Sequence, residues 1–175
     1  MEHRIHMETH LHHAPLILVT GLPGSGKTML ARELARALDL VHLSSDAIRT
    51  ELQKRGRYDE SDKELVYREM WTKAREVLRH NGKVVLDATF HKASRRRAFE
   101  ALAAEMHARP VVIQVKAGEE ETKRRLQRKR PDSEADWQVY LLLKNEYEEP
   151  EIIDYVVRTD EGKTADELTE ELLRT

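Results

Sequence analysis

The chain has 175 residues, 35% of them charged, and a formal net charge of -2, which suits one compact domain with a substantial core and excludes coating of nucleic acid through bulk charge. It has no cysteine, which excludes disulfides, thiolate metal sites and cysteine nucleophiles. No apolar run approaches the roughly 18 residues of a membrane span, so a soluble, cytoplasmic protein without membrane contact is expected.

In chain order, residues 1–14 lack the apolar middle of a secretory signal and hold five of the nine histidines, His3, His6, His10, His12 and His13. They read as a flexible, His-rich leader, with metal binding as the alternative, ahead of a single domain over residues 15–175. Apolar runs of strand length follow at "LILVT" (from Leu16), "KVVLDA" (from Lys83), "PVVIQVK" (from Pro110) and "DYVVRT" (from Asp154), with "LVHLSS" as a shorter fifth. Their continuous Val and Ile content predicts strands buried on both faces of a parallel sheet.

Helical patterns fill the gaps. Met29, Leu30, Leu34, Ala35 and Leu38 share a face, as do Tyr67, Met70, Trp71, Ala74, Val77 and Leu78, and then Phe99, Leu102, Ala103 and Met106. Ser61 with Glu64 and Thr164 with Glu167 have capping-box spacing. The alternation predicts an α/β domain, a five-stranded parallel sheet with helices on both faces. Ligands of such sheets bind beyond the carboxyl ends of the strands.

One segment at that edge is "GLPGSGKT": Gly21, Leu22, Pro23, Gly24, Ser25, Gly26, Lys27 and Thr28. This is the G-x-x-x-x-G-K-[ST] phosphate loop, between a buried strand and a helix. Its glycines let successive N–H groups converge on phosphate oxygens. Lys27 is expected on the β and γ phosphates of ATP and Thr28 on Mg2+; the alternative is an ordinary glycine turn. Neither D-x-x-G nor N-K-x-D occurs, which disfavours a switch GTPase, and the chain is short for a motor ATPase. A small kinase is left.

A kinase needs a group near the acceptor hydroxyl, a positive clamp and a metal shell. In "SSDAIR", Asp46 is the candidate base and Arg49 the candidate for an acceptor phosphate or for pairing with Asp46; a helix cap with a surface ion pair is the alternative. Asp87, ending the third strand, is the candidate magnesium support. Thr89 in the following "DATFHK" is a candidate acceptor contact. The run "KRRLQRKR" reads as a short basic lid over residues 119–136. Glu119, Glu120 and Glu121 pair at i,i+4 with Lys123, Arg124 and Arg125, so Arg128 is the first candidate clamp, with Arg125 and Arg130 next. Arg55, Arg57 and Tyr58 lie where an acceptor is chosen; Tyr67 and Trp71 fall on a core face.

The motifs "GLPGSGKT", "SSDAIRTEL", "VVLDATF" and "RRLQRKR", in this order, resemble those of P-loop kinases, including the kinase domain of polynucleotide 5'-kinase, over about Leu16 to Thr159. The resemblance implies ATP and magnesium on Lys27 and Thr28, Asp46 as general base, Arg49 on the acceptor phosphate and Arg128 on the donor phosphates. It implies a P-loop kinase fold and a polynucleotide 5'-hydroxyl as acceptor. A small alcohol is the alternative, as is a regulatory or toxin-like ATPase module. Where adenylate kinases usually carry a D-G-x-P-R segment, this chain reads "DATFHK".

Overall fold

Residues 10–128 and 136–175 are described by the structure, a computed structural model. Strand β1 (Leu16–Thr20) follows a single helical turn, α1 (His10–His13), and runs into the glycine-rich octet and helix α2 (Lys27–Leu38). Next come β2 (Val41–Ser44), α3 (Ser45–Glu51), the long α4 (Glu60–Arg79), β3 (Val84–Ala88) and α5 (Ala93–Ala104). Strand β4 (Val111–Lys116), α6 (Glu119–Leu126), α7 (Trp137–Asn145), β5 (Tyr155–Arg158) and α8 (Ala165–Arg174) complete the order. The five strands form one parallel sheet in the order β2-β3-β1-β4-β5, the expected α/β fold.

Side chains alternate across the sheet and build two cores. On one face Ile17, Val19, Val85, Ile113 and Val115 pack with Leu30, Leu34 and Leu38 of α2 and Leu168 and Leu172 of α8. On the other, Leu16, Leu18, Val84, Leu86 and Val112 pack with Val66, Met70, Ala74 and Leu78 of α4 and Phe99 and Leu102 of α5. β1 and β3 are buried throughout. β2 and β5 are sheet edges, so the run read as a buried strand at "DYVVRT" exposes Val156. An edge strand keeps one flank and part of its faces in water whatever its composition.

Four local expectations change. Met29 is exposed while Ala31 takes its place in the core, and Met106 is exposed beyond the end of α5. The cap of α4 is Asp59 instead of Ser61: Asp59 accepts from the Asp62 N–H at 2.9 Å and from the Ser61 hydroxyl at 2.6 Å, and an ionised cap makes the stronger bond. The Thr164/Glu167 box is present. In the leader, Leu11 is fully buried and Ala14 nearly so within the α2/α8 core, so packing begins before residue 15. His3 and His6 lie outside the described residues.

Leu11 therefore acts as a plug. Leu11→Ala should lower unfolding free energy by about 2–4 kcal/mol, whereas Val156→Ala should change it by less than about 1 kcal/mol; urea melts of both variants check this, and a neutral Leu11→Ala would mean that the leader does not pack.

Candidate active site

β1 delivers the octet to the carboxyl edge of the sheet. A Cβ at Gly21 would stand 2.5 Å from the Val115 carbonyl oxygen, so the loop can lie against β4 only without one. Gly24 and Gly26 have φ of 78° and 92°, the left-handed region that favours glycine. α2 then starts at Lys27 with no side-chain cap bond. Its first-turn N–H groups and helix dipole make an anion site.

The carbonyls of this loop are held from behind. Thr159, at the end of β5, donates its hydroxyl to the Ser25 carbonyl at 2.5 Å. Arg125 of α6 donates to the Gly24 carbonyl at 3.1 Å, to Thr159 Oγ1 at 2.8 Å and to the Thr159 carbonyl at 2.8 Å, while its Nε binds Glu121 at 2.7 Å. Arg125, expected on the nucleotide, ties down the loop and also lines the groove beside it. Only one of the three expected i,i+4 pairs is present: Glu121 binds both Arg124 and Arg125, which holds its carboxyl well down, at about 2, and Glu119 reaches Lys144 of α7 at 2.6 Å.

Along the loop runs a groove of about 330 Å³ whose lining includes Gly24, Gly26, Lys27, Thr28, Arg32, Asp46, Arg125 and Arg128. Arg128 thus faces the phosphate loop. Arg130 and most of the segment read as a lid after Arg128 lie outside the described residues.

Asp87 sits between Val19 and Ser44 in the strand register. Two residues on from Val85, it points to the face where α2 packs, and Thr28 is the second residue of α2. Asp87 is 1% exposed; Oδ2 meets Nε2 of His42 at 3.2 Å, and Oδ1 is buried without a hydrogen-bond partner. A buried carboxylate oxygen left over at this edge, with a threonine hydroxyl at the helix start, is the oxygen donor set that suits Mg2+. The glycine cradle suits the phosphates of ATP.

On the other side of Lys27 a small cavity of about 40 Å³ is lined by Pro23, Lys27, Ser45, Asp46, Arg49, Tyr58, Lys63, Tyr67, Thr89, His91 and Arg95, with Val139 and Leu143 of α7 as an apolar wall. Arg49, 7% exposed, lies over the Tyr58 ring and donates to the Arg57 carbonyl at 3.0 Å, leaving Nε without a partner. Arg95 covers the Tyr67 ring and pairs with Glu60, leaving Nη1 without a partner. Lys63 is 7% exposed and stands 3.8 Å from Glu60. Tyr67 is half-buried; its hydroxyl accepts the Phe90 N–H at 3.0 Å, and burial raises its pKa.

Of the residues read from the sequence, Lys27, Asp46, Arg49, Tyr58 and Thr89 meet at this cavity, as does Tyr67, which was read as a core residue. Arg57 does not: its guanidinium is bound to Asp62 at 2.7 Å. Lys63, His91 and Arg95 were missed. The signal for two of them was the basic run after "DATF", which sequence patterning alone assigns to a solvated helix start.

The fold and the loop define a P-loop kinase-like nucleotide-binding domain. The chain belongs to the AAA domain family AAA_33, whose profile matches residues 16–150. It is 33% identical over 122 residues to the uncharacterized protein Rv2004c of Mycobacterium tuberculosis, an alignment covering 62% of this chain and 24% of that protein. The chain thus matches about a quarter of the length of the curated relatives. Among solved structures it is similar to a putative kinase from Chloroflexus aurantiacus (TM-score 0.69, 20% identity, 90% of this chain and 95% of that one). It is also similar to the Mycobacterium tuberculosis APS kinase CysC in complex with AMPPNP and APS (TM-score 0.66, 20% identity, 91% and 97%). At 20% identity these likenesses show a shared fold. Among the described residues no helix is long and apolar enough to cross a membrane.

His91 gives the site a pH signature. It is 2% exposed, and burial followed by the charges of Arg95, Lys63 and Lys92 lowers its pKa from 6.5 to about 4. The unfolded chain therefore takes up a proton that the folded chain refuses, so stability is full above about pH 6.5 and falls towards pH 4, by up to about 3 kcal/mol. Denaturant midpoints between pH 7 and 5 should flatten in His91→Gln; an unchanged slope would place the titration elsewhere.

Proposed function

We propose that the domain is an ATP- and magnesium-dependent phosphotransferase acting on the hydroxyl of a small acceptor that carries its own anionic group. The observation that carries this is the cavity beside Lys27. It holds the Asp46 carboxylate among Lys27, Arg49, Lys63 and Arg95, and the buried Arg49 Nε and Arg95 Nη1 donors have no protein partner. Leaving such donors unpaired is costly, and an anion that enters satisfies them with charge-assisted bonds.

Bound ATP supplies the phosphoryl group and Mg2+ offsets its charge; Thr28 and Asp87 would hold the metal, and the octet with Lys27 and Arg128 the phosphates. Asp46 accepts the acceptor's hydroxyl proton as that oxygen bonds to the γ-phosphorus and the bond to the β,γ-bridging oxygen breaks, leaving ADP and the phosphorylated acceptor. Arg49, Lys63 and Arg95 orient the acceptor through its anion. Arg125 and Thr159 are positioning residues that hold the loop.

A polynucleotide 5'-hydroxyl, the acceptor favoured by the sequence, fits this geometry less well. By the same measure that gives a water roughly 10–15 Å³, the cavity holds about one phosphate-sized group, and α7 walls it. Arg57, read as a contact to the strand, is engaged by Asp62. The kinase neighbour solved with APS binds a small anionic acceptor, which agrees with the small-acceptor reading.

Labelled ATP offered with neutral sugars, sugar phosphates, nucleoside 3'-phosphates and 5'-hydroxyl oligonucleotides tests this. Transfer is expected to the small anionic alcohols; transfer to oligonucleotides alone would restore the polynucleotide reading, and ATP hydrolysis unaffected by any acceptor would favour a regulatory ATPase. Asp46→Asn should lower kcat by roughly 10²–10⁴ with an unchanged melting temperature. Arg95→Gln should raise the acceptor KM at least about tenfold with little change in ATP affinity; equal losses for anionic and neutral acceptors would remove the anion assignment.

A further inference from the structure

A second, larger cavity of about 370 Å³ opens on the opposite flank of the phosphate loop, within the range of small-molecule sites. It lies at the carboxyl ends of β1 and β4, where the strand order turns: the chain leaves β1 toward β3 and β2, and later crosses to β4 and β5 on the other side. Crevices at such reversals are where open α/β sheets bind ligands. It shares no lining residue with the ATP groove or with the acceptor cavity.

Its floor carries two buried polar side chains with unmet hydrogen-bonding capacity. Gln114 is 2% exposed; its Nε2 donates to Glu149 at 2.6 Å and its Oε1 has no partner. Ser25 is 3% exposed and its Oγ has no partner. Tyr140 and Tyr147 form aromatic walls, and Lys116, Lys144 and Arg158 stand at the rim. Lys144 is held by a surface ion pair with Glu119 and lies over the Tyr140 ring, and Arg158 pairs with Asp160 and Glu161; such surface pairs contribute little and can exchange for a ligand's charge. The inner wall asks for N–H donors, the sides for a flat ring and the mouth for an anion.

The wall of this cavity is also the wall of the acceptor site. Thr20 donates its one hydroxyl proton to the Thr89 carbonyl at 2.7 Å, so the Tyr147 hydroxyl donates to Thr20 Oγ1 at 2.9 Å. Glu148 N–H donates to the His91 carbonyl at 2.8 Å, Ala93 N–H to the Glu148 carboxylate at 2.6 Å, and Arg96 to the Glu149 carbonyl at 3.2 Å. Thr89 and His91 line the acceptor cavity. A molecule seated against Tyr147 and Glu149 therefore bears on the segment that shapes that cavity.

We infer that the cavity bounded by Gln114, Tyr140, Tyr147 and Glu149 is an effector site for a nucleoside monophosphate, with the base edge on Gln114 and Glu149 and the phosphate on Lys116, Lys144 and Arg158. It is separate from the ATP groove and coupled to the acceptor cavity through Tyr147 and Thr20. Ligand occupancy here acts on the acceptor site through the Tyr147–Thr20–Thr89 contacts, to the extent that it favours one arrangement of them over another.

Calorimetric titration of AMP, GMP, CMP and UMP into the full chain saturated with AMPPNP and magnesium tests the inference, with amide chemical shifts read in parallel. At least one monophosphate should bind at one site and move the amides of Gly21, Ala117 and residues 147–149. Lys144→Ala and Glu149→Ala should each weaken it about tenfold with AMPPNP binding and the melting temperature retained. No binding at millimolar concentration, equal binding of inorganic phosphate, or shifts confined to Gly24–Arg32 would overturn it. Loss of AMPPNP binding in the parent protein would instead break the phosphotransferase reading.

Discussion

Turning several peptide N–H groups toward one point forces the matching carbonyls outward, and each needs a donor where water is scarce. Here the donors are Arg125 and Thr159, which take the Gly24 and Ser25 carbonyls and bind each other. The knot joins the octet to α6 and to the end of β5, so three stretches far apart in sequence fix one loop conformation. Gly26 shows how tight it is: a Cβ there would stand 3.0 Å from the Thr159 side chain. The anion site is therefore prepared before a ligand arrives, which is the condition for electrostatic stabilisation without reorganisation.

The sheet order decides what lies on either side of that loop. With β1 between β3 and β4, one flank faces Asp46, Thr89 and His91 from the β2 and β3 ends, and the other faces Gln114 from β4. The chain after α7 crosses above both, bonding to His91 and Arg96 on one side and Gln114 on the other. Residues 146–149 are thus a shared partition, and the Thr20 hydroxyl beneath it contacts both sides.

The alternation of apolar runs and 3.6-period stretches made the sheet and its helices legible, because parallel strands covered on both faces leave a continuous Val and Ile signature. What that signature could not carry was position within the sheet. "DYVVRT" and "LVHLSS" look like interior strands but lie at edges, a matter of topology and not composition. The octet was legible, as was the meeting of Asp46 and Arg49 at one cavity beside Lys27, because their spacing is local. Thr159 was not, since its role depends on a carbonyl 134 residues away. Arg57 was read at the acceptor for a similar reason: the Asp62 that pairs with it is close in sequence but buried only once α4 packs. Leu11 was hidden among histidines, and a single apolar residue has no periodicity to display.

The acceptor cavity owes its charge to which cations are cancelled. Asp62, 3% exposed, takes both Lys54 at 2.9 Å and Arg57 at 2.7 Å, so two nearby positive side chains are drawn away from the cavity. Arg49 is held over the Tyr58 ring, whose quadrupole attracts the guanidinium without neutralising it, and Arg95 over the Tyr67 ring with the exposed Glu60 as its ion-pair partner. Lys63 stands 3.8 Å from the exposed Glu60. His91 is kept neutral by burial and by the same cations. Arg49, Arg95 and Lys63, the last two sharing the exposed Glu60, stand around one carboxylate, in a wall whose histidine does not titrate above about pH 5. A neutral alcohol gains nothing from that field, whereas an anion entering from water exchanges hydration for paired donors already in place. The proposed selectivity for charge would follow from cancellation elsewhere as much as from the arginines themselves.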